Sequence, residues 1–244
     1  MNFVYALFIP LGVLILANTV ILRSKPGKHE ATYLPFLISI TLSNVLTNII
    51  KNAVGRPRPD LLARCQPSAD APHGLPVDIS VCTTPDGHLL QDGWRSFPSG
   101  HSSFSFAGLG FTALFLAGQL GVFGMKRDLG RALFCMVPLV GATLIAISRC
   151  EDYRHDVYDV CVGAALGLTV AYWSYRRYWP RLSSAVSHEP YPYPGSLNPA
   201  EVESWQRILD EEEGGAGGEG RDDASPRGGN DVGYELETLR EDRG

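Results

Sequence analysis

Apolar residues gather in five long blocks, at about 3–22, 32–52, 101–123, 131–149 and 156–179. Each block is long enough to cross a bilayer, which takes about 20 helical residues. The pattern therefore predicts five spanning helices rather than the amphipathic elements of a soluble core. The first block lacks a basic start and an Ala-x-Ala-like exit, and Arg23 follows it directly, so it reads as a retained span rather than a cleaved signal. Residues 60–97 are polar, rich in Pro, Gly and Asp, and without periodicity, which predicts an ordered loop. From residue 183 onward Gly, Pro, Ser, Asp and Glu dominate, which predicts disorder. Within that stretch, Asn198-Pro199 followed by Val202, Trp205, Ile208 and Leu209 has the cap and spacing of a short helix, either resting on the membrane surface or forming transiently. The expected architecture is all-α: a polytopic membrane bundle over residues 1–182 and a disordered cytoplasmic tail over 183–244.

Composition adds little to this division. The chain of 244 residues is 45% hydrophobic, and its net charge of -5 owes much to tail segments such as Asp210-Glu-Glu-Glu213. No basic stripe with interleaved aromatics marks a nucleic-acid partner. The positions of the basic residues are more informative. Arg23, Lys25 and Lys28, then Lys126, Arg127 and Arg131, then Arg176, Arg177 and Arg181 all fall on one side of a five-span arrangement. The positive-inside rule makes that side cytoplasmic, with the N-terminus outside and the tail inside. Cys135, Cys150 and Cys161 lie in or beside apolar blocks and behave as small hydrophobes. Cys65 and Cys82 lie in the polar loop and could pair if it faces an oxidising compartment. No C-x-x-C pattern points to zinc.

Three polar stretches end apolar blocks on the exoplasmic side: Lys51 to Pro59, Pro98 to His101, and Ser148 to Asp159. Cations at the edge of a membrane segment are costly and usually functional. His155 and Asp159 are four apart and share a helical face. A carboxylate there would orient the imidazole and stabilise its positive charge, making His155 a candidate nucleophile toward phosphorus; the other reading is a structural His–Asp pair at a helix start. Ser99 can cap the third span, Gly100 allows close backbone approach, and a helix N-terminus attracts anions. His101 is then either a general acid beside a bound phosphate or an interfacial histidine after a plain cap. Lys51, Arg58 and Arg149 are candidate phosphate clamps, against the alternative of snorkelling to the headgroup level. For Arg56, Arg64 and Arg154 snorkelling or a general electrostatic role is the expectation. No acidic cluster resembles a divalent-metal cage, so no metal or cofactor is expected.

Together these residues resemble the type 2 phosphatidic acid phosphatase superfamily, also called lipid phosphate phosphatases. Its pattern of Lys-x6-Arg-Pro, Pro-Ser-Gly-His and Ser-Arg-x5-His-x3-Asp is matched in order, without substitution, and the likeness covers roughly residues 1–182. The flanking Asp60-Leu-Leu-Ala-Arg-Cys65, Asp78-Ile-Ser-Val-Cys82 and Phe97 look like fungal diacylglycerol pyrophosphate phosphatase relatives. The resemblance implies that Lys51, Arg58, Ser99, Gly100 and Arg149 bind phosphate. His155 would be the nucleophile, Asp159 its partner and His101 the general acid. It implies phosphatidate, lysophosphatidate or diacylglycerol pyrophosphate as substrates, hydrolysed through a phosphohistidine without magnesium. Members usually have six spans, so the first is expected to be missing here, as in a truncated isoform or an incomplete gene model.

The implied setting is multi-pass, in an endomembrane (vacuole, Golgi or ER) or the plasma membrane, with membrane lipids as partners and the site on the luminal or exoplasmic side. Vanadium haloperoxidases use the same histidine–arginine constellation, but five apolar blocks argue against a soluble protein of that class. An inactive lipid-binding relative or a transporter is the non-enzymatic alternative, and the intact His101, His155 and Asp159 argue against it.

Overall fold

A computed structural model of the chain describes residues 2–214 apart from 73, 76, 124–127, 194 and 196. The described residues form helices, turns and loops, with one isolated bridge between Pro67 and Cys82. Helix α1 (Asn2–Leu16) runs into a π-helical turn, Ala17–Ile21. Helix α2 (Pro26–Val54) has proline at its first position, where a missing N–H costs nothing, and stops at Gly55, whose φ of 61° is left-handed. The loop beyond holds two short helices, α3 (Leu61–Cys65) and α4 (His88–Gly93). Helix α5 (Gly100–Gln119) starts at Ser99, whose hydroxyl accepts the Ser102 N–H. Helix α6 (Leu129–Glu151) is capped by Asp128, and α7 (Val157–Arg176) by Asp156. Helix α8 (Pro199–Gly214) follows an irregular connection.

Among the described residues, four helical segments are long and apolar enough to cross a membrane: Val4–Ile21, Pro26–Val54, Leu129–Glu151 and Val157–Arg176. The third expected span, 101–123, is helical as α5 but falls outside that set. The reason lies in its position. Helix α5 is the hub of the bundle, packing on α1, α2, α6 and α7. Ser102, Ser103, Ser105, Gly108, Gly110 and Thr112 are all buried on it. A helix enclosed by other helices needs small residues for close approach more than it needs apolar surface. Helix α6 shows the opposite case: Leu133, Phe134, Val137, Val140, Leu144 and Ile147 face outward, and Cys135, Ala142 and Ala146 turn inward. That outward face suits lipid, and the chain is an integral membrane protein.

Close contact at the hub depends on α7. A side chain at Gly163 would meet the Ser99 carbonyl oxygen at 2.6 Å, and one at Gly167 would run into the Ser103 carbonyl. The two glycines form a small-xxx-small stripe against α5. Serine and threonine hydroxyls latch the helices further. Ser39 donates to the Ala107 carbonyl and Ser43 to that of Ser103, while Ser102 donates to that of Val160. Toward the far end, Phe36, Phe111, Phe115, Tyr175 and Trp179 form the core, and the Trp179 indole donates to the Ala31 carbonyl at 2.8 Å.

The folded part extends past residue 182. Tyr191 N–H donates to the Tyr178 carbonyl at 2.9 Å, and Trp205 packs edge-on against Tyr191. The nearly buried Glu212 of α8 accepts from Arg176 at 2.8 Å and from the Arg181 N–H at 3.0 Å. Residues 215–244 of the expected tail lie outside the described residues, as do Lys126 and Arg127. The other basic residues used for orientation sit where α1 meets α2, where α6 begins and where α7 ends.

Candidate active site

The C-terminus of α2, the N-terminus of α5 and the α6–α7 connection meet at one end of the bundle, and each brings one of the three polar stretches. Gly55 ends α2 and turns the chain back, so that Arg56 and Arg58 return over the helix ends. A cavity of about 400 Å³ results, lined by Lys51, Arg58, Gly100, His101, Arg149 and His155 among others. Ser99 and Asp159 lie fully buried behind it. The Ser99 N–H donates to the Asp159 carbonyl at 2.8 Å and so ties the start of α5 to the start of α7.

His155 is 3% exposed. It precedes the cap of α7, while Asp159 occupies the third position of that helix and accepts the Asp156 N–H at 3.1 Å in a capping box. The two side chains therefore do not meet as neighbours on one helical face. His155 Nδ1 stands 3.6 Å from Asp159 Oδ2, and the Ser96 hydroxyl bridges them, 3.4 Å from Nδ1 and hydrogen-bonded to Oδ2. On the other side of the ring, Arg58 Nη1 lies 3.2 Å from Nε2. A guanidinium can only donate, so Nε2 carries the lone pair and Nδ1 the proton. Burial, followed by the charges of Arg58 and Lys51 and by His101, pushes His155 down to about 3, so the imidazole is neutral at pH 7.

The loop between α2 and α5 supports Arg58. Its Nε donates to the Asp92 carbonyl at 2.8 Å and its Nη2 to the Asp92 carboxylate at 2.9 Å. Burial alone would raise the Asp92 carboxyl, but Arg58 and Arg64 outweigh it and hold the group below the usual carboxylate range. Arg64 is itself buried, paired with Asp60 at 2.9 Å and Asp92 at 3.2 Å. Next to it, Cys65 and Cys82 are joined in a disulfide with Cα atoms 4.7 Å apart. Lys51 donates to the Arg95 carbonyl at 2.8 Å, and Arg149 pairs with Asp152 at 2.8 Å. A Cβ on Gly100 would stand 3.6 Å from the Lys51 stem, an ordinary contact.

Of the two roles expected for them, Arg56 and Arg64 take the electrostatic one rather than a place at the headgroup level. Arg56 bonds Asp159 Oδ1 at 2.9 Å and Asp156 Oδ2 at 2.8 Å, and Arg64 holds Asp92 from inside the loop. Arg64 has a local partner in Asp60, but the pairs of Arg56 with Asp156 and Asp159 and of Arg64 with Asp92 join distant parts of the chain, which spacing could not reveal. Arg154 is exposed and lines the cavity. Ser96 and Asp92 were missed altogether. Ser96 lies three residues before Ser99, but nothing in its own context marks it. As a whole, the cavity gathers Lys51, Arg58 and Arg149, with Arg95 and Arg154 also on its wall, the imidazoles of His88, His101 and His155, and a helix N-terminus, a set suited to a tetrahedral oxyanion.

Residues 32–183 match the family model described as the PAP2 superfamily. The chain belongs to the PAP2 superfamily. Among curated relatives, it is 47% identical over 162 residues to probable diacylglycerol pyrophosphate phosphatase 1 of Schizosaccharomyces pombe, covering 66% of this chain and 58% of that one. It is 40% identical over 222 residues to diacylglycerol pyrophosphate phosphatase 1 of Saccharomyces cerevisiae, covering 87% and 74%. Lipid phosphate phosphatase 2 of Arabidopsis thaliana is 41% identical over 153 residues, covering 62% and 52%. The chain thus spans little more than half the length of two of these PAP2 relatives. No solved structure matches it. The matched PAP2 region includes every residue of the cavity described above, whereas α1 lies before it and α8 after it.

Proposed function

We propose that this protein is an integral-membrane lipid phosphate phosphatase that cleaves phosphomonoesters or pyrophosphates of lipids through a phosphohistidine on His155. The observation that carries the reading is the setting of His155. A neutral imidazole presents Nε2 toward a cavity containing Lys51, Arg58 and Arg149, and its Nδ1 faces Ser96 and Asp159. The relatives' names, which specify diacylglycerol pyrophosphate and lipid phosphates, point the same way.

In the first step the Nε2 lone pair attacks phosphorus, and Arg58 transfers its Nη1 donor from the ring to a phosphate oxygen. The bond from phosphorus to the leaving oxygen breaks, and His101, carrying the proton that the bound anionic phosphate draws onto its ring, gives that proton to the leaving oxygen. Asp159 and Ser96 stabilise the positive charge on the phosphorylated ring. In the second step water attacks phosphorus and yields its proton to His101. The P–N bond breaks, inorganic phosphate departs, and His155 is neutral again. Lys51, Arg58 and Arg149 stabilise the charge spread over the transferring group. Of the cavity's lining side chains only Asp92 is a carboxylate, and it is already paired with Arg58 and Arg64. A cation-rich cavity repels Mg2+, so the reaction is metal-independent.

The substrate is a lipid phosphate presented in the luminal or outer leaflet. The cavity lies at the helix ends opposite the basic loops, which on the positive-inside rule puts it near the exoplasmic headgroups, and each acyl methylene kept in apolar surroundings contributes about 0.8 kcal/mol. The test is phosphate release from phosphatidate, lysophosphatidate, diacylglycerol pyrophosphate and glycerol phosphate in detergent with EDTA. Lipid substrates are expected to react without metal and faster than glycerol phosphate. Loss of activity in EDTA, or equal cleavage of glycerol phosphate and phosphatidate, would contradict the reading.

A further inference from the structure

Asp159 is fully buried, and Arg56 reaches it from a different part of the chain. The guanidinium is divided between two carboxylates. Nη1 donates to Asp159 Oδ1 at 2.9 Å and Nη2 to Asp156 Oδ2 at 2.8 Å. The opposite oxygen, Asp159 Oδ2, accepts from the Ser96 hydroxyl and from the Asp156 N–H at 3.1 Å. Arg56 does not line the cavity. Its planar fork fixes the plane of the Asp159 carboxylate, and a single ammonium could not bridge both acceptors in the same way. Without Arg56, the Asp156 and Asp159 carboxylates at the start of one helix would lose the cation between them. Asp159 would then be anchored through Oδ2 alone, and the plane of its carboxylate could turn relative to Ser96 and His155.

We infer that Arg56 is a positioning residue for phosphoryl transfer, holding the Asp159 carboxylate in the orientation that supports the His155–Ser96 pair. The inference rests on the phosphatase reading above. It concerns the rate of the chemical step and leaves phosphate binding to Lys51, Arg58 and Arg149.

The test compares the full-length wild type with Arg56→Gln and Arg56→Lys in detergent, using phosphatidate as substrate and inorganic phosphate as competitive inhibitor. Arg56→Gln should lower kcat about ten- to a hundredfold, the scale on which small misplacements of reacting groups act. KM and inhibition by phosphate should stay within about threefold. Arg56→Lys should recover part of the rate. Asp156→Asn, which cuts only the second limb of the fork, should lower kcat less than Arg56→Gln does. In an Asp159→Asn background, Arg56→Gln should have little further effect on the residual rate, because it acts through Asp159. Multiplicative losses in that background would overturn the inference. So would weakened phosphate inhibition with kcat intact, or a lower thermal midpoint with kinetics unchanged. If Arg56→Gln does not fold, Arg56→Lys and Asp156→Asn decide by the same split between kcat and KM. A wild-type protein that releases no phosphate would instead reject the phosphatase reading itself.

Discussion

Replacing Gly163 with alanine perturbs the site without touching any group in the cavity. The added Cβ would stand 2.6 Å from the Ser99 carbonyl oxygen, 3.1 Å from Ser102 Cβ and 3.3 Å from the Ser103 nitrogen. Carbon and oxygen approach no closer than about 3.3 Å even in close helix contacts, so the shortfall is about 0.7 Å. The nearest obstacle is backbone and cannot rotate aside. Helix α7 must therefore move off α5, stretching the bonds from the Ser99 N–H to Asp159 and from Ser102 to Val160 that hold the two helix starts together. Overpacking of this kind costs about 1–3 kcal/mol, and the better helix propensity of alanine returns about 1; with a backbone obstacle that cannot move, the upper half of that range applies, leaving a net loss of up to about 2 kcal/mol. The shift also separates His155 and Asp159 from His101. A displacement of about 1 Å can cost about a hundredfold in rate, so a fall of at least about tenfold in kcat/KM is expected. Thermal unfolding in detergent and phosphate release from phosphatidate measure the two effects. Gly141→Ala is the control, since its Cβ would meet Leu109 Cδ1 at a comfortable 3.8 Å. If Gly163→Ala keeps the midpoint and the rate of Gly141→Ala, the packing argument is wrong.

Three further outcomes are expected. With His155 pushed down to about 3, the acid limb of kcat/KM that belongs to it should lie well below the usual histidine range near 6.5. Its contribution to stability is fully present above 6.5 and is lost as pH falls toward 3, because the unfolded chain takes up the proton first; thermal midpoints across that window should flatten in His155→Gln. Reducing the Cys65–Cys82 bridge, or replacing both cysteines with serine, should cost about 3 kcal/mol for a separation of 17 residues, read as a lower unfolding midpoint. Asp92→Asn leaves Arg58 and Arg64 with a weaker, uncharged acceptor beside the retained Asp92 carbonyl, and kcat/KM should fall about tenfold in phosphate-release assays, with Arg58 held less firmly toward the cavity.

The parts legible in the sequence were those with local causes. Apolar length marked the membrane helices, and Ser99 caps α5 as its place before that block indicates; Asp156 and Gly55 act at helix ends for equally local reasons, although neither was read from the sequence. The motif spacings brought Lys51, Arg58, His101, Arg149 and His155 to one side because each motif ends a span. Partnerships set by tertiary packing were not legible. Arg56 and Asp159 lie 103 residues apart, and Ser96 and Asp159 lie 63 apart, so neither bond leaves a local trace. The loop over 60–97 has no periodicity from which to place Asp92. The hub position of α5 was hidden because its small polar residues looked like a weakly apolar span, although Gly163-x-x-x-Gly167 on α7 was a readable sign of close packing.

The central claim is that His155 carries the phosphoryl group. The most direct measurement mixes the enzyme with phosphatidate labelled in its phosphate, in EDTA, and quenches under conditions that preserve phosphoramidates. Peptide mapping by mass spectrometry then locates the label. The account predicts an adduct of phosphate on His155, turning over at the rate of phosphate release and absent from His155→Ala. A label on any other residue, or full turnover by His155→Ala, would contradict it.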